Sequence, residues 1–117
     1  MTTEQLHIEG RRICTAFSQY EMAHVSALDD APRFNTGRLP VNYDALLIGK
    51  QHKEIVAARN VIFYVMWMKY PKLRQHELSR AFGRRMNGSV VYGMKYVSSR
   101  CKTDKSFSGF IDQLLKG

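Results

Sequence analysis

The stretch IVAARNVIFYVMWMKY, residues 55–70, decides the fold. From Val61 to Met68 it is apolar on nearly every face of a helix, and Pro71, which cannot continue one, stops it. A helix with no polar side has to be covered all round, so its expected place is the centre of the core. The apolar run at 61–68 is well short of the roughly twenty residues of a membrane span. The chain begins MTTEQLHIEG, with neither the basic nor the apolar region of a secretory leader, and a cytoplasmic, nucleoid-associated protein without a membrane partner is expected.

Downstream, Leu73, Leu78, Ala81 and Phe82 give a short helix over 73–82 that ends at Gly83. Val90, Met94, Val97 and Cys101 then form the buried stripe of a second helix over 88–101. Asp104 or Ser106 can cap a last helix striped by Phe107, Phe110, Ile111, Leu114 and Leu115. Upstream, Thr2 or Thr3 can cap a first helix carrying Leu6, Ile13, Phe17 and Tyr20, running to about Leu28. DDAPRFNTGRLP, residues 29–40, is an aperiodic loop with two prolines and a glycine, after which Asn42 can cap the short helix YDALLI that Gly49 ends. No stretch alternates as a half-exposed strand does. The expected fold class is therefore all-α, about six helices around an apolar central one, in the single domain that 117 residues allow.

Charge is unevenly placed along this order. Residues 1–49 hold 4 Lys and Arg against 6 Asp and Glu, whereas residues 50–117 hold 14 against 4, a net +10. A basic excess gathered in one part of a small domain is the electrostatic footprint of a nucleic-acid binder. Cys14 and Cys101 are far apart and lack zinc-site spacing, which makes them reduced core residues. The four histidines have no H-x-H or H-x-x-x-H context, and no nucleophile stands beside an evident base. Neither a metal, a cofactor nor an enzymatic activity is expected.

The helices 73–82 and 88–101, joined by a short glycine-bearing turn, make a helix-turn-helix candidate, in which the second helix enters the major groove. With Val90 inward, its outer face carries Gly88, Ser89, Tyr92, Lys95, Tyr96 and Ser99. Asn87 and Ser89 can exchange hydrogen bonds with base edges, Gly88 allows close backbone approach, and Tyr92 can pack on a sugar or a thymine methyl. Arg84, Arg85 and Lys95 suit phosphates, and Lys72, Arg74, Gln75, His76 and Arg80 are placed to position the first helix on the backbone. The competing reading makes the same residues the solvated side of an ordinary helical hairpin.

Residues Ile55 to Leu115 resemble the C-terminal DNA-binding domain of the bacterial replication initiator DnaA. That family's pattern V-A-R-P-R, an apolar helix, A-F-G-G-R-D-H-T-T-V and a long basic helix is met by VAARN at 56–60, the apolar helix, HELSRAFGRR at 76–85 and MNGSVV at 86–91. ALLIGK at 45–50 and IEGRRICTAFSQY at 8–20 extend the likeness upstream, and an insertion at about 22–42 exceeds the family's link. The resemblance implies major-groove contact by the second helix and a basic loop, here KQHK at 50–53, that reaches the minor groove through Lys50, His52 and Lys53. Met86, Asn87 and Gly88 stand where the family has its base-reading Asp-His-Thr, while Arg85 and Val90 are kept and Ser89 replaces a second Thr. No G-x-x-x-x-G-K-[ST] occurs, so ATP-driven strand opening is not expected of this chain. The expected partner is double-stranded DNA, in control of replication initiation or transcription; the alternative is a module that keeps the scaffold and binds replication proteins instead.

Overall fold

The computed structural model describes residues 1–27, 40–47, 53–83 and 88–117, and of residues 24–27 and 88–90 it describes the backbone alone. Among the described residues there are six helices and no strand: α1 (Thr3–Ala27), α2 (Tyr43–Leu47), α3 (Lys53–Lys69), α4 (Gln75–Ala81), α5 (Gly88–Thr103) and α6 (Lys105–Lys116).

The starts of three helices follow from side chains that satisfy the backbone groups a helix end leaves open. At α1, Gln5 N–H donates to Thr2 Oγ1 (3.1 Å) and Thr2 N–H to Gln5 Oε1 (2.8 Å), a reciprocal capping box. Asn42 Oδ1 accepts from Asp44 N–H at 2.9 Å ahead of α2, and Asp104 Oδ1 accepts from Phe107 N–H at 3.1 Å at the head of α6. At α4 the cap is Arg74 in an extended conformation, without a side-chain cap bond. Buried Leu73, whose N–H donates to Tyr70 O at 3.0 Å, fixes the chain's entry there instead.

α3 packs against α1, α2, α5 and α6, and most extensively against α5. Its Val61, Ile62, Phe63, Val65 and Met66 are all fully buried, as an all-apolar helix requires. Close approach by α5 needs Gly93: a Cβ there would stand 2.9 Å from the Asn60 carbonyl oxygen and 3.2 Å from Phe63 Cβ. Gly10 does the same service for α1, which passes so near Tyr43 that a Cβ would come within 2.6 Å of its hydroxyl. That hydroxyl shares a 2.7 Å hydrogen bond with His7 Nδ1, so His7 is a half-buried packing residue rather than a surface one.

After the segment 28–39, which lies outside the described residues, the chain returns to the middle of α1. Val41 N–H donates to Ser18 Oγ (2.9 Å) and the Cys14 thiol donates to Val41 O (3.6 Å). Of the insertion read at about 22–42, residues 22–27 continue α1 and 40–42 form this return. Both cysteines are free, Cys14 being buried, and burial pushes its thiol pKa up to about 11.

The buried side of α5 differs from the expected stripe. Its inward line runs through Gly93, Val97 and Arg100, with Met94 and Cys101 only half-buried at its margins; the side chain of Val90 is outside the description. Sequence patterning could not show this, because a glycine and an arginine both read as non-core positions.

Candidate nucleic-acid interface

The residues proposed for DNA contact are best placed from their supports outward. α4 ends at Phe82, and Gly83 follows with φ +69°, a left-handed conformation that an L side chain rarely adopts. The turn is closed by Phe82 N–H to Ser79 O (3.1 Å) and Gly83 N–H to Arg80 O (3.0 Å). Phe82 is fully buried, with ring centroids 5.2 Å from Phe63, 5.7 Å from His7 and 5.8 Å from Tyr43. The start of the turn is thus anchored on α3, α1 and α2 together.

The end of α2 lies against that same point. A Cβ on Gly83 would stand 3.0 Å from the Leu47 carbonyl oxygen, while the neighbouring carbonyl, of Leu46, accepts from Arg59 Nη2 of α3 at 3.4 Å. Leu47 is the last described residue before the basic segment at 50–53, and Gly83 the last before Arg84 and Arg85. The two basic segments therefore leave the fold from adjacent positions, although Lys50, His52, Arg84, Arg85 and Asn87 themselves lie outside the described residues.

Where the described chain resumes, Lys53 is exposed as the first residue of α3, and Gly88 and Ser89 open α5. Lys72, Arg74 and His76 are exposed around the start of α4, Gln75 is half-buried, and Arg80 is exposed one turn on. On α5, Tyr92 is 69 % exposed, Lys95 and Ser99 are exposed, and Val91 beside them is 44 % exposed. Large aromatic side chains usually cover themselves, so Tyr92 is the most conspicuous unburied group on this helix. Tyr96 does not belong with it: half-buried, its hydroxyl accepts from Arg100 Nη1 at 3.0 Å. Chemically, the exposed set offers cations for phosphate oxygens and, on α5, an aromatic ring and small hydroxyls for groove walls.

Sequence reasoning missed four buried charged residues that support this region. Glu21 and Glu54 are 0 % and 3 % exposed, Arg59 and Arg100 4 % and 8 %. Arg100 and Asp104, four apart on one helical face, gave an available signal; Glu21, far away in sequence, gave none.

A stretch of 67 residues is 34 % identical to the chromosomal replication initiator protein DnaA of Thermodesulfovibrio yellowstonii, and the match covers 57 % of this chain. The chain spans about 15 % of the length of that protein. No protein-family model matches the sequence, and no solved structure matches it significantly. No helix among the described residues is long and apolar enough to cross a membrane. What stands is an all-helical chain similar, over somewhat more than half its length, to one part of a replication initiator.

Proposed function

We propose that this chain binds double-stranded DNA as a helix-turn-helix, with α4 on the backbone, the start of α5 in the major groove and the 50–53 segment at the adjacent minor groove. It acts by occupying sites, in control of replication initiation or transcription, and not by catalysis. The observation that carries the reading is the outer face of α5, where Tyr92 (69 % exposed), Lys95 and Ser99 stand in solvent immediately after the glycine turn. The net +10 of residues 50–117 and the similarity to the initiator support it.

Phosphate contacts release condensed counterions, so affinity is expected to fall steeply as salt rises. Selecting bound fragments from a random duplex pool, then titrating the winner and a scrambled duplex across salt concentrations, tests both halves of the reading. Lys95→Ala and Arg74→Ala should weaken both duplexes and flatten the salt slope by about one each, whereas Asn87→Ala should cost about 1–3 kcal/mol on the selected duplex alone. An affinity indifferent to salt, with no enriched sequence, refutes it. One observation favours a second reading: Val91 and Tyr92 form an exposed apolar pair, which suits a protein surface such as a replication partner. Under that reading Tyr92→Ala abolishes partner capture and leaves DNA titrations unchanged.

A further inference from the structure

The buried pair Glu21 and Arg100 links three helices. Glu21, on α1, is fully buried; the Arg100 side chain, in the last turns of α5, is 7 % exposed, and its Nη1 lies 2.5 Å from Glu21 Oε1. The guanidinium carbon sits 4.0 Å over the centre of the Phe107 ring of α6, Nη1 also donates to Tyr96 Oη (3.0 Å), and Nε lies 3.8 Å from Asp104 Oδ2. Burial works against the charge on Arg100, yet the hydrogen bond to Glu21 and the electrostatics of Tyr96 and Glu21 outweigh it, so its pKa is raised.

Such pairs contribute little to stability compared with apolar side chains of similar volume, because removing two charges from water offsets their attraction. What they supply is direction: a short contact between a planar fork and a carboxylate fixes rotation and axial position, which greasy packing leaves looser. Arg100 lies seven residues after Gly93, on the same line of α5, and Gly93 is the contact point with α3. These two points set how α5 is rolled about its axis, and hence where Tyr92, Lys95 and Ser99 face. A roll of about 20° would carry side-chain tips, roughly 5–6 Å from a helix axis, by about 2 Å. That displacement is far beyond the few tenths of an ångström over which a base-edge hydrogen bond survives.

Resting on the DNA-binding reading above, we infer that Glu21 and Arg100 are positioning residues for sequence reading, setting the roll of α5 so that they govern discrimination between duplexes rather than stability or general DNA affinity. The test uses the full chain with Glu21→Leu and Arg100→Met combined, titrated against the duplex enriched from a random pool and a scrambled duplex, with thermal melts alongside. The expected result is a melting midpoint kept or raised, affinity for the scrambled duplex within about twofold, and a loss of about tenfold or more on the enriched duplex. A double variant that keeps the parent's ratio of affinities overturns the inference. Should the double variant not fold, the pair is needed for stability and the inference is overturned in that form; Arg100→Lys, which keeps the charge but not the fork, then decides whether discrimination depends on the geometry. A lowered ratio with an unchanged midpoint for Arg100→Lys supports it, and an unchanged ratio ends it. If the parent enriches no sequence at all, it is the DNA-reading proposal that fails, and this inference goes with it.

Discussion

Replacing Gly83 by alanine strains the fold at one point that both basic segments share. Two costs can be worked from the geometry. The first is conformational: at φ +69° an L residue pays about 1–2 kcal/mol that glycine does not. The second is steric, because the new Cβ would lie 3.0 Å from the Leu47 carbonyl oxygen, closer than carbon and oxygen ordinarily approach, and a backbone atom at the end of α2 has to give way. Relief of a contact a few tenths of an ångström too short adds roughly another 1 kcal/mol, at the low end of overpacking penalties. The sum, about 2–3 kcal/mol, corresponds in a domain of 117 residues to a melting midpoint lower by roughly 6–15 °C. Gly83→Asn separates the two costs, since asparagine tolerates the left-handed region but keeps the contact; it should melt between the parent and the alanine variant. The assay is thermal and urea unfolding of all three proteins by far-UV circular dichroism. An alanine variant that melts with the parent refutes the reasoning outright. If alanine and asparagine fall by the same amount, the contact with Leu47 carries the whole cost.

The helical glycines should divide by what surrounds them. Gly93→Ala should destabilise by about 1–2 kcal/mol, its clash with Asn60 O outweighing the gain in helix propensity, whereas Gly109→Ala, with nothing within 4 Å, should stabilise by about 0.5–1 kcal/mol; urea midpoints measure both. Glu9 has its pKa lowered from the ordinary 4.5, chiefly by its hydrogen bond to Arg12, with Lys69 Nζ 3.6 Å away. A depressed carboxyl stabilises the fold above its unfolded pKa, so this contribution should be complete above about pH 5 and lost as the pH falls through the folded value; Glu9→Gln should flatten the stability profile below pH 4.5 and nowhere else. The Cys14 thiol, with its pKa near 11 and its Sγ 3.6 Å from Val41 O, should react with a disulfide reagent at neutral pH only as fast as the fold opens, while the half-buried Cys101 reacts sooner; separate Cys→Ser variants assign the two phases.

How much of this was legible in the sequence depends on which force acts at each residue. The helices were readable where a local force sets them. Three caps, at Thr2, Asn42 and Asp104, bond as their residue types suggest, and Phe107, Ile111 and Leu114 form the buried side of α6 that their spacing required. The centre of the core was readable too, since an apolar run with no polar face has a single destination. The exposed cations and Tyr92 were legible as a surface, but position on a surface is a property of the whole fold. Nothing in the order of residues says that Leu47 and Gly83, distant in sequence, meet, and that meeting brings the departure points of the two basic segments together.

The buried charges were illegible for a deeper reason. A glutamate or arginine in an amphipathic pattern is assigned to water because desolvating a lone charge is prohibitive, and that inference holds until a partner arrives from elsewhere in the chain. Glu21 meets Arg100 only after α1, α5 and α6 have packed, so the pair is an outcome of the fold that sequence periodicity reverses: Arg100 reads as outward and points in, Tyr96 reads as outward and turns to meet it. The error moves the buried line of α5 from Met94 and Cys101 to Gly93, Val97 and Arg100, and so rotates the estimate of which side chains face solvent. Tyr92, Lys95 and Ser99 survive that rotation because they sit on the far side under either assignment. Tyr96 does not, and it leaves the candidate surface for the same reason that the clamp exists. An interface read from sequence is therefore most dependable at the middle of a helix's outer face and least dependable at its margins, where one buried ion pair decides the side.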